Sequence, residues 1–273
     1  MDNRESVIFV TGASSGIGNA CAAFLAKKGM RVYGTCRNPS SYTKKADEFF
    51  EMLSLDLRDQ SSVSKAAEKV LEREGRIDAL LCCAGSGLIG AVEETEVEEA
   101  RALMDADYFG ALRTVKAFLP AMREAGQGRI VITGAMEGRF AVPFQSSYAA
   151  AEFALEALAQ SLRMEVARFG ISVGMLELAA FRTAFGPGRR IVVGEASPYK
   201  AAVESSLSVL GSDETDGFDP LAAARAVHSM LEARRMPRRV VLGPRRRRLL
   251  ALLHRYLGAG PAEAFQRRYF RID

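Results

Sequence analysis

The sequence predicts an α/β protein built on a single Rossmann-type, doubly wound parallel sheet of about seven strands, with helices on both faces. Three observations carry this. Short β-rich apolar runs alternate with amphipathic helical stretches. A glycine-rich turn, Thr11-Gly12-Ala13-Ser14-Ser15-Gly16-Ile17-Gly18, joins the first strand to the first helix. Glycines 29, 75, 126 and 170 each follow a helical stretch, where a C-cap favours left-handed backbone. Such alternation implies right-handed crossovers and a sheet covered on both sides.

Strands are expected at Val7–Thr11, Arg31–Thr35, Met52–Leu55, Ala79–Cys83, Arg129–Thr133, Ile171–Leu176 and Arg239–Leu242, each a short apolar run. Helices are expected at Ile17–Lys28, Ser61–Arg73, Glu96–Arg123 and Tyr148–Arg168, where apolar residues recur every three or four positions. Residues 182–217 scatter Gly, Pro and Ser through weak periodicity and read as a lid over a pocket. Residues 239–273 supply a last strand and a basic helical segment, so that 1–273 forms one nucleotide-binding domain.

With 48% hydrophobic and 26% charged residues the chain is too apolar for disorder. The net charge of +4 conceals eight Arg and no acid within 234–248, which leaves −4 for the rest. That balance excludes a general nucleic-acid surface. A polar start running straight into a strand excludes a signal peptide, and no apolar run approaches the roughly 20 residues of a membrane span. The four cysteines, 21, 36, 82 and 83, read as reduced thiols of a cytoplasmic protein. His228 and His254, both late in the chain, leave little material for a metal site.

The glycine turn has the context a dinucleotide needs. Its glycines permit a tight turn and close backbone approach to a pyrophosphate, and the following helix supplies oriented N–H donors. The second strand ends in Cys36-Arg37 with no acid, so Arg37 points to a ribose 2′-phosphate and to NADP(H) in preference to NAD(H).

These motifs resemble the short-chain dehydrogenase/reductase family, of the hydroxysteroid and retinol dehydrogenase kind. Thr11–Gly18 is similar to its TGxxxGIG loop, and Leu55-Asp56-Leu57 to the segment whose Asp contacts adenine. Cys82-Cys83-Ala84-Gly85 stands at the place of NNAG, Tyr148–Glu152 at that of YxASK, and Leu178-Ala179 with Thr183 at that of PGxxxT. The resemblance implies that Gly12, Ser14, Ser15, Gly16, Ile17, Gly18, Arg37, Asp56, Leu57, Ala84, Gly85 and Thr183 bind the cofactor. It also implies catalytic Asn, Ser, Tyr and Lys, of which only Tyr148 is retained. The other positions read Asp107, Ala135 and Glu152.

Ala135 offers no hydroxyl to a substrate oxygen. Residues 148 and 152 share a helix face, and an ionised Glu152 about 5 Å away would oppose tyrosinate by roughly 3 kcal/mol at an effective dielectric near 20. A protonated Glu152, or one paired with an Arg, would not. Three functional readings stay open: an oxidoreductase acting on a carbonyl or alcohol with an altered proton relay, a nucleotide-binding pseudoenzyme, and a non-redox acid/base enzyme using Asp107, Glu137, Tyr148 and Glu152. For Glu137 and Glu177, solvation or ion pairing is the favoured expectation. Phe140, Phe144, Phe181 and Phe185 are expected to flank a pocket for an apolar small molecule, and Ser146 or Ser147 stands in reserve for the missing hydroxyl. The resemblance further implies a homo-oligomer paired through helices 96–125 and 147–169. Residues 234–257 read as a basic amphipathic segment facing a pocket, a partner subunit or an anionic membrane surface.

Overall fold

The computed structural model describes residues 5–43, 48–245, 248 and 259–272. In chain order the elements are β1 (Val7–Val10), α1 (Gly16–Lys27), β2 (Arg31–Cys36), β3 (Glu51–Ser54), α2 (Gln60–Glu74) and β4 (Ala79–Cys82). There follow β5 (Leu88–Gly90), α3 (Val97–Met104), α4 (Gly110–Ala125), β6 (Gly128–Ala135), α5 (Ser146–Val166) and β7 (Ile171–Leu178). After a helical turn, α6 (Phe185–Gly188), come β8 (Arg190–Val192), α7 (Lys200–Thr215), α8 (Pro220–Glu232) and β9 (Arg239–Leu242), and then a C-terminal helix, Ala259–Phe270.

Seven strands form one parallel sheet in the order β3-β2-β1-β4-β6-β7-β9. Successive side chains of a strand face opposite sides, so β1 serves two cores at once. Val7 and Phe9 pack with Phe118, Ile130 and Leu162 beneath α2, α4 and α5. Ile8 and Val10 pack with Leu25, Val131 and Val227 beneath α1 and α8. This double burial is why the strands read as continuous apolar runs rather than alternating ones.

Three expectations are corrected. The helix expected over 96–123 passes through a π turn at Asp105–Phe109, and the extra residue in that turn places Asp107 in the interior at 2% exposure. The segment 182–217, read as weakly periodic, carries regular structure: β8 pairs with β5, and α7 buries Val203 and Leu210 against Ile89, Phe140 and Phe270. Helix α8, absent from the expected set, is capped by Asp219 accepting from Leu221 N at 2.8 Å with Pro220 in the first turn. An Asp-Pro pair ahead of Ala224, Val227 and Leu231 was the signal for it.

The edge strand β9 is held by charge. Glu177 of β7, 1% exposed, pairs with Arg139 at 2.8 Å and with Arg239 of β9, and Arg239 also reaches Glu156. Burial pushes the Glu177 carboxyl up, and the two guanidiniums pull it back. Ion pairing, the favoured expectation for Glu177, is what the structure shows, and one Arg of the basic segment is thereby engaged inside the fold. The helix expected across Arg245–Leu257 lies almost wholly outside the described residues. Glu177→Ala, which leaves Arg139 without its counter-charge and takes one of two carboxyl partners from Arg239, is expected to lower stability by about 3 kcal/mol in a denaturant titration.

Candidate active site

The sheet's strand order reverses between β1 and β4, and a cavity of about 850 Å³ opens there at the C-terminal ends of the strands. Gly12, Ser14, Ser15, Gly16, Ile17, Gly18, Arg37, Asp56, Leu57, Ala84, Gly85 and Thr183 all line it. So do Asp107, Ala135, Tyr148 and Glu152. The fold therefore brings every residue of the expected site to one cavity.

At the glycine end, the Thr11 hydroxyl accepts from the N–H groups of Cys83 (2.9 Å) and Ala84 (3.1 Å), binding the loop after β1 to the loop after β4. Gly12 has φ of +70°, and a Cβ there would lie 2.8 Å from Ala84 Cα. A Cβ on Gly18 would fall 2.2 Å from the Gly12 carbonyl oxygen. No side chain caps the first turn of α1, which leaves its backbone donors to an anion in the cavity. A cradle of bare backbone at a helix N-terminus fits the pyrophosphate of a dinucleotide.

Arg37 is exposed beside a neighbouring cavity of about 520 Å³, which Ser14, Ser15, Asn38, Ser41 and Tyr42 also line. The acid present there, Glu48, is bonded to the Tyr42 hydroxyl and to Asn19 at 3.1 Å. Asp56 accepts from the backbone and guanidinium of Arg58, which hold its carboxyl below the usual range. Thr183 stands across from Gly16, with its hydroxyl accepting from Phe185 N at 3.2 Å.

The other end is acidic, and its acids are buried. Glu152 on α5 is 6% exposed and accepts from Ala135 N at 2.6 Å, rather than pairing with an Arg. Burial first, then the fields of Asp107 and Glu137, push its carboxyl up to about 8 against the pull of that N–H. Asp107 accepts from Ser86 N and Ser86 Oγ, both at 3.1 Å, yet burial still pushes it up to about 7. Tyr148 is pushed well above the usual phenol range, by burial first and then by the fields of Glu152, Glu137 and Asp107, while Arg189 pulls the other way. At neutral pH Glu152 is thus mostly protonated, which removes much of the repulsion expected from an ionised carboxylate. The nearby Tyr148 hydroxyl pulls this carboxyl's pKa back in part.

Of the four expected aromatic residues, Phe181 and Phe185 line the cavity, with the Phe185 ring 6.0 Å from that of Tyr148. Phe140 instead sits in the core with Met136 and Val142, and Phe144 packs beside that cluster, because α7 and the C-terminal helix bury that side of the loop. Ser146 and Ser147 stay out of the cavity wall, since the α5 face that carries Tyr148 and Glu152 is not theirs.

Two residues escaped the sequence reading. Gln145, at the start of α5, is 5% exposed in the cavity wall, and its Nε2 has no hydrogen-bond partner. Its place three residues before Tyr148 was the available signal. Arg189, in the weakly patterned segment, turns a nearly buried guanidinium over the Phe185 ring and pairs with Glu214.

A family model described as short chain dehydrogenase matches residues 6–190. The chain belongs to the short-chain dehydrogenase family. It is 34% identical over 243 residues to a 3-ketodihydrosphingosine reductase of Bacteroides thetaiotaomicron, a match covering 88% of this chain and 89% of that one. Against human 17-beta-hydroxysteroid dehydrogenase type 1 it is 36% identical over 193 residues, 66% of this chain and 58% of the relative. A short-chain dehydrogenase structure from Streptomyces avermitilis superposes with a TM-score of 0.79 at 32% identity, covering 98% of this chain and 97% of that one. An alcohol dehydrogenase of Thermococcus sibiricus, complexed with 5-hydroxy-NADP, gives a TM-score of 0.70 at 25% identity over 88% of this chain and 97% of its own. This is a family of oxidoreductases that bind NAD(P) on this fold.

The buried carboxyl has a cost that depends on pH. An unfolded chain releases the Glu152 proton near its ordinary value of 4.5, whereas the folded protein holds it to about 8. Stability attributable to this group is therefore full at acid pH and falls by about 1.4 kcal/mol per pH unit across that window. Glu152→Gln is expected to raise the melting temperature at about pH 7.5 and to give little or no gain near pH 4.5.

Proposed function

We propose that the chain is an NADP(H)-dependent oxidoreductase that interconverts a carbonyl and an alcohol on an apolar small molecule, with Tyr148 handling the proton. The observation that carries this is the single cavity joining the glycine cradle to Tyr148, with Leu88, Leu103, Phe181, Phe185 and Leu210 forming apolar wall. Relatives named as a keto reductase and as a hydroxysteroid dehydrogenase accord with it. So does Arg37, an exposed guanidinium beside serines with no free acid among the described residues at the end of β2.

When bound, the nicotinamide supplies or accepts the hydride at the substrate carbon. Backbone donors of Ser14, Ser15, Gly16, Ile17 and Gly18 hold the pyrophosphate, and Arg37 takes the 2′-phosphate. Asp56 and Leu57 border the adenine, and Ala84, Gly85 and Thr183 border the remaining wall. In reduction, the Tyr148 O–H gives its proton to the substrate oxygen as the C–O bond gains negative charge. A phenol held protonated remains a competent donor to an alkoxide, which is far more basic. The neutral Glu152 carboxyl, on the same helix face as that phenol, holds the proton that replaces it. Asp107 orders the Ser86 loop. Ala135 contributes only its N–H, which holds Glu152.

The same geometry favours reduction over alcohol oxidation, because a phenol with a raised pKa is a poor base near neutral pH. A homo-oligomer paired through the helices at 96–125 and 147–169 accords with exposed Phe109, Phe153 and Met164. Residues 1–273 act in this scheme as one domain, in which 182–217 caps the cavity.

NADPH consumption with a panel of apolar ketones and aldehydes tests the activity directly. Turnover is expected in the wild type and to fall by about 100-fold or more in Tyr148→Phe, with NADPH binding retained. Binding without turnover would instead identify a pseudoenzyme, and product formation without cofactor consumption a non-redox enzyme. Arg37→Ala is expected to weaken NADPH by about tenfold and NADH by less than about twofold in a fluorescence titration.

A further inference from the structure

Within the acid-free segment 234–248, Arg239 is engaged inside the fold, whereas Arg234, Arg235, Arg238, Arg245 and Arg248 are exposed. The first three precede β9 and the last two follow it. Positive charge therefore runs along the sheet edge that no further strand among the described residues covers. Arg248 N donates to Pro244 O at 3.2 Å, which keeps Arg248 within a turn of the strand end.

Apolar side chains lie at that same end. Ala179, which closes β7, donates its N–H to Leu242 O of β9 at 3.0 Å, and the next residue, Ala180, accepts from Phe218 N at 3.0 Å. Phe218 and the end of β9 thus meet one end of β7. Phe218 is 39% exposed, and Leu221, in the first turn of α8, 38%. Arg225 is exposed one turn further along α8, four residues from Leu221 and on its face. The Phe218 ring lies 5.9 Å from that of Phe181, a residue of the cavity wall. Of the acids nearby, Asp219 caps α8 and pairs with Arg182 at 3.7 Å, while exposed Asp216 and Glu232 leave the balance positive.

This pattern selects among partners. A two-fold contact between copies through β9 sets arginines against arginines, because such an interface meets itself, and like charges across a strand pair are destabilising. A nucleic-acid duplex takes arginines through its phosphates, but its backbone gives Phe218 and Leu221 no apolar surface. An anionic bilayer supplies both: headgroup phosphates for the guanidiniums and, slightly deeper, an acyl boundary for the apolar side chains.

We propose that this face docks on a bilayer of anionic phospholipid. Arg225, Arg245 and Arg248 lie among the headgroup phosphates, Phe218 and Leu221 at the acyl boundary, and the Phe181 wall of the cavity turns toward the lipid. The docking is independent of the reaction that the cavity performs, and its test reads no turnover.

Co-sedimentation of the full chain with vesicles of mixed phosphatidylglycerol and phosphatidylcholine, against vesicles of phosphatidylcholine alone, provides that test. Binding to the anionic vesicles is expected to be about tenfold or more tighter at about 0.05 M salt, with the margin shrinking by about 0.5 M. The triple variant Arg225→Gln, Arg245→Gln, Arg248→Gln is expected to lose about tenfold or more of that binding, and Leu221→Ser about threefold. A charge-matched triple on other faces, Lys65→Gln, Arg101→Gln, Arg168→Gln, is expected to lose less than about twofold. Both triples change exposed side chains and are expected to keep the melting temperature of the wild type. Equal binding to the two kinds of vesicle, or none to either, overturns the proposal on the wild type alone. Equal losses in the two triples also overturn it, by assigning the attraction to net charge instead of to this face. Tighter binding to a random-sequence DNA duplex than to the anionic vesicles would identify a nucleic-acid surface instead. Self-association that the first triple abolishes, without vesicle binding, would identify an interface between copies.

Discussion

The chain leaves β3 at one edge of the half-sheet and returns to the centre to lay β4 beside β1, and that reversal constrains everything else. On either side of the β1–β4 seam the crossovers run in opposite directions, so no helix covers the strand ends there. Two side chains then make the opening a defined site. Thr11 grips the N–H groups of Cys83 and Ala84 from the β1 side, and Asp107 grips Ser86 from the π turn. The loop after β4 is pinned at both ends, and the glycine cradle and the Tyr148 chamber become two halves of one cavity.

Burial then inverts the chemistry that residue types alone imply. In water, Glu152 and Asp107 would be carboxylates at neutral pH. In the cavity both are pushed up toward or past neutrality, because ionising them there means desolvating charge with few donors in reach. Tyr148 consequently borders an acid that is mostly neutral, and its own proton is held firmly. A site of this kind holds its protons firmly near neutral pH.

Much of this was legible in the chain. The glycine turn and Arg37 were read from local pattern, since a tight turn and a strand end are properties of neighbouring residues, and Tyr148 from the family resemblance; all of them line the cavity. The failures share a cause. Helix α8 was missed for want of reading Asp219-Pro220 as a start signal, and the regular structure within 182–217 was missed because the pairing of β5 with β8 joins residues a hundred positions apart. Phe140 and Phe144 were placed at the pocket on nearness in sequence to Tyr148, whereas the packing of α7 and the C-terminal helix draws them into a separate cluster.

The sequence by itself determined the doubly wound fold, the nucleotide cradle and the absence of Ser and Lys beside the one retained tyrosine. These follow from hydrophobic period, turn chemistry and residue identity, all of them local. Only the tertiary structure decided that Glu152 meets a backbone N–H rather than a guanidinium, that Glu177 is neutralised by two Arg from distant segments, and that Gln145 and Arg189 belong to the cavity. Charge state and hydrogen-bond partner depend on which distant groups exclude water from a side chain, and that is settled when the layers close.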